Sequence, residues 1–164
     1  MIRLRPTTIK DLPLLQYWGT KRHVIDSDPS DDWNWEYELS RNPVWREQLI
    51  AEYNDEPIGF IQIIDPYLEE THFWGDVDKD QRAIDIWIGE ERNLNKGYGT
   101  IMMRKAIERC FKNPQAHKVL VDPLKSNVGA HRFYERLGFK FCEDKVLGDL
   151  LCCIYKLERE LCET

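Results

Sequence analysis

The chain lacks the cysteine and histidine patterns that bind metals or staple small proteins. Its five cysteines form no C-x-x-C pair and are odd in number, which argues against both a disulfide framework and a zinc site. We therefore expect buried, reduced thiols, at Cys110, Cys142, Cys152, Cys153 and Cys162. The four histidines show no metal-ligand spacing either, so we predict that the protein binds no metal.

Long apolar runs are also missing. No run approaches the length that spans a bilayer, and residues 1–6 lack the apolar segment of a signal peptide. We expect a cytoplasmic protein with no membrane partner. The net charge of −6 disfavours nucleic acid as a partner. Linkers, repeats and low-complexity segments are absent from the sequence, so we expect one domain over 1–164, acting as a monomer or a homodimer.

Charged residues are abundant and are separated by sign along the chain. Residues 24–40 carry six acids and residues 54–78 carry seven, with no Lys or Arg in either stretch. Residues 92–145 carry twelve basic side chains against five acidic ones. This separation has two explanations, namely solvated faces of opposite sign or binding sites for two ligands of opposite charge.

Hydrophobic periodicity predicts several strands and three helices. The strands are expected over residues 2–6, 47–53, 57–64, 83–89, 118–122, 139–146 and 150–157. A first helix begins near Thr8 and runs to about Tyr17, a second follows Gly99, and a third covers 127–137 and ends at Gly138. Residues 26–32 are expected to form a loop. This order predicts an α/β (α+β) fold, a mixed sheet flanked by helices on both faces.

A glycine loop connects a predicted strand to the helix that follows Gly99. Such a loop presents unpaired backbone N–H groups and the positive end of the helix dipole, which together bind phosphate. The pattern is not a Walker loop, because Lys96 precedes Gly97 and no G-K-[ST] follows. It is not a dinucleotide fingerprint either, because the third glycine is absent. Taken alone the signal is weak, because two glycines at a helix start more often form a tight turn.

A carboxylate interrupts the apolar strand 83–89. Asp85 lies between Ile84 and Ile86, and a charge in such a place costs free energy unless it is partnered or used. It is either a base near a reacting group or a residue at a sheet edge or in a salt bridge.

Three segments in combination resemble the acetyl-CoA site of the GNAT superfamily. They are residues 88–100, residues 122–127 and residues 130–139, which reads A-H-R-F-Y-E-R-L-G-F. Leu94 departs from the pattern, which usually has Gln or Arg at that position. The resemblance implies a mostly antiparallel GNAT-like sheet and acetyl-CoA as cosubstrate.

The resemblance also implies roles for individual residues on the cofactor side. The CoA pyrophosphate would be held by the loop of Leu94, Asn95, Lys96, Gly97, Tyr98, Gly99 and Thr100. The strand with Ile86, Trp87 and Ile88 would splay from its neighbour and leave a backbone N–H free for the thioester carbonyl. Asn127 would contact the pantetheine arm, and Tyr134 would protonate the leaving thiolate. The other interpretation of Tyr134 is an aromatic side chain of the core.

On the acceptor side the sequence resembles the aminoglycoside 6′-N-acetyltransferase branch. That resemblance implies that Asp85 is the base and that Asp122 receives an amine of a small cationic acceptor. Phe73 and Trp74 match an aromatic pair of the branch, which suits a polycationic sugar. Residues 24–29 lack the aromatic and glycine residues usual there, and the tryptophans at 33 and 35 are candidates to replace them.

Other functions remain open at this point. A related branch acylates hydroxylysine-type siderophore precursors, but the members known to us carry histidine where this chain has Asp85. An acidic groove would also suit a polyamine or a protein N-terminus. A non-catalytic CoA-binding protein is the alternative from a different class, and the presence of both Asp85 and Tyr134 argues against it.

Overall fold

A seven-stranded sheet organises the part of the chain that the computed structural model describes, residues 1–29 and 33–159. Its strand order is β1-β2-β3-β4-β5-β7-β6, and all neighbours are antiparallel except β4 and β5. The strands are β1 (Ile2–Pro6), β2 (Arg46–Tyr53), β3 (Glu56–Ile64), β4 (Gln81–Ile88), β5 (Lys118–Val121), β6 (Lys140–Leu147) and β7 (Leu150–Glu158).

Five α-helices accompany the sheet in the described ranges. They are α1 (Leu12–Trp18), α2 (Arg22–Ser27), α3 (Trp35–Leu39), α4 (Tyr98–Phe111) and α5 (Val128–Arg136). A short 3₁₀ turn precedes α1, where Thr8 and Asp11 form a capping box. No helix in these ranges is long and apolar enough to cross a membrane.

Helices cover both faces of the sheet because successive strand residues point to opposite sides. On one face, α4 and α5 pack on the largest core cluster, in which Met102 and Met103 are fully buried. On the other face, α1 and α3 pack on Phe60 through Trp18 and Trp35. Strand β4 contributes to both layers, with Ile84 on the α4 side and Trp87 on the opposite side.

The predicted fold class is confirmed, and the predicted strands and the second and third predicted helices lie within about two residues of the observed ones. The first predicted helix, from near Thr8 to about Tyr17, is a 3₁₀ turn over Ile9–Asp11 followed by α1. The loop predicted for 26–32 is wrong at its start, because α2 continues through Ser27, and residues 30–32 lie outside the described ranges. Helices α2 and α3 were not predicted. They span six and five residues, too few for a helical period to show in the sequence.

The cysteine prediction needs one correction. Cys110, Cys152 and Cys153 are buried free thiols, whereas Cys142 is exposed. Cys142 lies on β6, the edge strand of the sheet, whose first five residues are all exposed. Cys162 lies outside the described residues.

Candidate active site

The sheet splits between β4 and β5. These parallel strands pair only from Gln81↔Lys118 to Ala83↔Leu120, while β4 stays paired with β3 as far as Ile88. The next residue, Gly89, donates its N–H to Ile58 of β3 at 2.9 Å. Hydrogen-bonding directions alternate along an antiparallel strand, so the N–H groups of Ile86 and Ile88 face the split. This geometry leaves backbone donors for a ligand carbonyl.

The backbone N–H and the side chain of Trp87 point in other directions than those of its neighbours Ile86 and Ile88. By the same alternation its N–H is directed at β3, and its ring stacks on Phe60 with 4.4 Å between centroids. Trp33 and Trp35 surround these two rings, with centroids 5.2 Å and 6.0 Å from that of Trp87. The geometry therefore favours the acceptor side for Trp87, rather than the cofactor contact expected from its position in the strand.

The glycine loop forms an open cradle at the start of α4. Gly97 is the N-cap residue with φ +82°, a conformation that favours glycine, and no side chain caps this end. The first helical bond runs from Ile101 N–H to Gly97 C=O, so the N–H groups of Tyr98, Gly99 and Thr100 have no acceptor within the helix. A Cβ added at Gly97 would meet nothing within 4 Å. The residues present thus fit a phosphate group.

The remaining loop residues anchor and charge this cradle. Leu94 packs against the main core, and Asn95 takes a left-handed conformation with φ +60°. Lys96 is exposed beside the cradle, where a positive charge attracts phosphate. Tyr98 packs on Tyr53 of β2, with 5.2 Å between ring centroids, and ties the helix start to the sheet.

Two predicted site residues, one at the N-cap of α5 and one within this helix, lie on the lining of one cavity. The Asn127 side-chain oxygen caps α5 by accepting from Ala130 N–H at 3.2 Å, so its amide N–H₂ is left for a ligand. Tyr134 is 8% exposed and packs edge-on to Phe139. Its hydroxyl has no hydrogen-bonding partner among residues 1–29 and 33–159, so this donor is available to a ligand.

That cavity encloses about 570 Å³ and reaches from the surface, past the open part of β4, to α5. Predicted cofactor and acceptor residues share it, because Ile86, Asn127 and Tyr134 line it together with Asp85 and Asp122. Its charge is unbalanced. The lining carries one arginine, Arg46, and six carboxylates. The carboxylates are Asp28, Glu38, Glu69, Glu70, Asp85 and Asp122.

The carboxyls of Asp85 and Asp122 are the central polar groups of the cavity. Asp85 Oδ2 accepts a hydrogen bond from Gln62 Nε2 at 3.0 Å, and Asp122 Oδ2 accepts one from Trp74 Nε1 at 3.2 Å. Protein surrounds both carboxyls, although part of each residue is open to the cavity. Neither has an ion-pair partner among the described residues. Both can therefore receive a cationic ligand.

Burial and mutual repulsion change the titration of these groups. Burial raises the pKa of Asp85, the charge of Asp28 raises it further, and the Gln62 hydrogen bond lowers it. Burial and the charge of Asp85 raise the pKa of Asp122. Burial and the two aspartates raise the pKa of Tyr134. The site thus holds two carboxyls that bind protons more readily than usual and a phenol that keeps its proton.

Aromatic rings form the walls of the cavity. Phe73 and Trp74 pack edge to face with centroids 5.0 Å apart, and Phe73 lies at the mouth while Trp74 is buried. Trp33 lies at the wall too, and it stacks on Trp35 with centroids 4.8 Å apart. Aromatic faces beside carboxylates suit a bulky cation.

Ion pairs organise the rim. Arg41 binds Glu70 at 2.7 Å and so connects the segment after α3 to the segment after β3. Arg46, which is 9% exposed, forms an ion pair with Glu38 of α3. Its guanidinium is itself a cation with no hydrogen-bond acceptor, so it cannot bind a cationic ligand. The acids of the rim therefore have protein partners, whereas Asp85 and Asp122 deeper in the cavity have only neutral donors.

Sequence reasoning missed Gln62, which bonds the candidate base. The one available signal was a polar residue among apolar neighbours in strand 57–64, and such a residue also occurs in ordinary half-exposed strands. Arg46 and Glu38 were missed because nothing in the sequence indicates that they pair across the rim.

A sheet that splits beside a phosphate-binding helix start, and an acidic cavity that meets this split, define an acyl-CoA-dependent N-acyltransferase. Residues 7–146 match the family model described as acetyltransferase (GNAT) domain. The chain belongs to this family and is an acetyl-CoA-dependent N-acetyltransferase.

Known relatives are consistent with this assignment. The chain is 30% identical over 155 residues to aminoglycoside N(6′)-acetyltransferase type 1 from Klebsiella pneumoniae, covering 85% of this chain and 74% of that protein. The crystal structure of aminoglycoside acetyltransferase AAC(6′)-Ib with coenzyme A and kanamycin superposes with a TM-score of 0.89 at 27% identity, covering 99% of this chain and 98% of that one. The aminoglycoside N(6′)acetyltransferase of Legionella pneumophila, 18% identical, shares the fold with a TM-score of 0.77 over 99% of this chain and 94% of that one.

Proposed function

We propose that this enzyme transfers the acetyl group of acetyl-CoA to the 6′-amine of aminoglycosides. The observation that carries the proposal is the pair of partly buried carboxyls, Asp85 and Asp122, in an aromatic-walled acidic cavity that meets the split of the sheet. The names and ligands of the relatives support the same acceptor class. Acetylation of such an amine removes a positive charge, which accounts for a role in antibiotic resistance.

Asp85 is the base in this proposal. An ammonium group has no lone pair, so its proton must leave before the nitrogen attacks. The raised pKa makes Asp85 a stronger base than an exposed aspartate, while its hydrogen bond from Gln62 keeps the ionised form accessible. Asp122 binds a second amine of the acceptor and orients the sugar. Phe73 and Trp74 pack against the ring faces.

The cofactor side supplies the remaining groups. Bound acetyl-CoA brings an activated thioester. The cradle from Leu94 to Thr100 holds the pyrophosphate, and Asn127 bonds the pantetheine arm. A backbone N–H of Ile86 or Ile88 donates to the thioester carbonyl oxygen. Tyr134 gives its phenolic proton to the leaving thiolate, and the raised pKa ensures that this proton is present beforehand.

The test uses Asp85→Asn, which keeps the size of the side chain and removes its charge and basicity. We expect kcat to fall by about 10² to 10⁴ and the acidic limb of the pH–rate profile to disappear. A matched control is Glu108→Gln on the exposed face of α4, which removes one charge outside the cavity. If only KM rises, and the rise relative to the parent enzyme becomes smaller at high ionic strength because salt screens the attraction in the parent, Asp85 attracts the sugar and is not the base.

A kanamycin-like acceptor with a 6′-hydroxyl tests the regiochemistry, because it should bind without being acetylated at that position. Rapid acetylation of polyamines or N-terminal peptides, with none of aminoglycosides, would contradict the acceptor and leave acetyl transfer intact. The aromatic walls favour a ring over a linear polyamine. The related branch that acylates siderophore precursors carries histidine where this chain has Asp85, which argues against a siderophore precursor as the acceptor.

The same proposal covers the setting of the enzyme. Residues 1–164 act as one catalytic domain in the cytoplasm, where acetyl-CoA is available, and the active unit is a monomer or a homodimer. Sedimentation of the active protein distinguishes these two assemblies.

A further inference from the structure

A row of three polar side chains crosses three neighbouring strands on the acceptor face. Gln48 of β2 lies opposite Gln62 of β3, and Gln62 lies opposite Asp85 of β4. Residues in register point to the same face of a sheet, so their side chains lie side by side. They are bonded in sequence. Gln48 Nε2 donates to Gln62 Oε1 at 2.9 Å, and Gln62 Nε2 donates to Asp85 Oδ2 at 3.0 Å.

The direction of this row follows from the charge of Asp85. An ionised carboxylate only accepts hydrogen bonds, so Gln62 must present its N–H₂ group to it. The carbonyl oxygen of Gln62 then faces Gln48, which must donate in turn. Gln62 is 5% exposed, and a buried amide left unbonded would cost free energy, so the arrangement resists rotation of this side chain.

We propose that Gln62, braced by Gln48, is a positioning residue that fixes the Asp85 carboxylate as a proton acceptor and leaves Oδ1 for the acceptor amine. The inference rests on the proposed role of Asp85 as base and adds how the sheet prepares that base. Among the described residues, Oδ2 takes the Gln62 bond and no protein donor reaches Oδ1, which is the oxygen that remains for the amine.

Titratable groups from three other parts of the fold face the cavity together with Asp85. Asp28 follows α2, Asp122 follows β5 and Tyr134 lies on α5, and all three face the same cavity. Burial and the charge of Asp28 favour protonated Asp85, which cannot accept a proton, whereas the Gln62 bond favours the ionised form. The other charged groups of the lining are bonded within the protein, namely Glu38 with Arg46, Glu70 with Arg41, and Glu69 with Thr71 and Phe73.

The kinetic test is Gln62→Met, which keeps the length of the side chain and removes the donor. Loss of a hydrogen bond to a charged group should move the acidic limb of kcat/KM to higher pH by about 1 to 2 units. Above that limb the activity should return towards that of the parent enzyme. Gln48→Met should shift the limb in the same direction by less, because Gln62 keeps its donor and loses only its brace. Gln16→Met, on the exposed face of α1, is the matched control.

A second measurement follows Asp85 itself by NMR titration of the protein labelled with ¹³C at aspartate carboxyls, with the Asp85 signal identified by its loss in Asp85→Asn. We expect the pKa of Asp85 to be higher in Gln62→Met than in the parent enzyme, and to rise by less in Gln48→Met. The second variant still tests the inference if Gln62→Met does not fold. The inference is wrong if Gln62→Met leaves the pKa of Asp85 unchanged and lowers kcat equally at all pH values. Gln62 would then contribute only to packing. Full turnover by Asp85→Asn would instead overturn the base, and the carboxyl titration identifies that failure separately.

Discussion

The two halves of the candidate active site present different groups to their proposed ligands. On the cofactor side, consecutive residues of one loop and the start of α4 present backbone N–H groups, and side chains contribute little beyond Lys96. On the acceptor side, side chains from separate segments converge, among them Asp85 of β4, Asp122 after β5 and Trp74 of the segment before β4. A site built from backbone N–H groups can be disrupted by a side chain added at a single residue. A site built from side chains depends on several groups, so one substitution removes only part of its function.

The largest expected effect breaks the backbone site at one residue. Gly97→Asp places a negative charge in the open cradle that we propose binds the pyrophosphate, and like charges at close range cost several kcal/mol. We expect the Kd for acetyl-CoA to rise by about 10³-fold. The matched control is Gly97→Asn, which has the same shape without the charge and tolerates the left-handed conformation. Calorimetry that finds equal affinity for both variants would show that charge at this loop does not matter.

A smaller effect is expected at the junction of the two halves. Tyr134→Phe keeps the ring packed on Phe139 and removes only the phenolic proton. We expect kcat to fall by about 10², the lower end for a general acid, because water in the cavity can replace part of the donation. The Kd for acetyl-CoA should not change. If kcat is unaffected when chemistry limits turnover, Tyr134 is a core aromatic and the leaving thiolate takes its proton elsewhere.

The smallest effect concerns stability and tests the acceptor side alone. The pKa of Asp122 is raised, so the folded protein retains a proton that the unfolded chain has lost, and stability falls as pH rises through that range. Asp122→Asn does not titrate and can still accept from Trp74, so it should be more stable than the parent at pH 9 by on the order of 1 kcal/mol.

Urea unfolding at pH 5 and pH 9 measures this difference. The gain should shrink at pH 5, where Asp122 is protonated and resembles the amide. An equal difference at both pH values would mean that burial and the charge of Asp85 do not raise the pKa of Asp122 in the folded protein. The same variant should weaken binding of a cationic acceptor, a cost to function that accompanies the gain in stability.

The two halves also differ in how far sequence reasoning reached. The glycine loop, the helix that follows it and the strand before it were predicted where they occur, because their geometry depends on residues a few positions apart. Asp85 and Tyr134 were singled out as a charge within an apolar strand and as part of a motif, and both line the cavity. Their catalytic roles stay predictions.

On the acceptor side, individual residues could be predicted from the sequence, but their spatial arrangement could not. Helices α2 and α3 were not predicted, Gln62 was overlooked, and the sequence did not indicate that the ring of Trp87 stacks on Phe60. The two helices are too short to show a helical period in the sequence. The places of Trp87 and Gln62 depend on which face of the sheet a side chain occupies and on what lies across from it. Such information comes from strand register, which no short stretch of sequence contains.

The sequence by itself determined the local elements of this protein, because helix starts, caps and alternating strands are set by neighbours along the chain. It also determined the glycine loop that opens α4. The tertiary structure alone decided that β4 leaves β5 after Ala83, and that Asp85 and Asp122 then face one cavity. It decided as well that Gln48 and Gln62 stand in line with Asp85. The physical reason is that these contacts join segments far apart in the chain, and only the register of a complete sheet brings them within hydrogen-bonding distance.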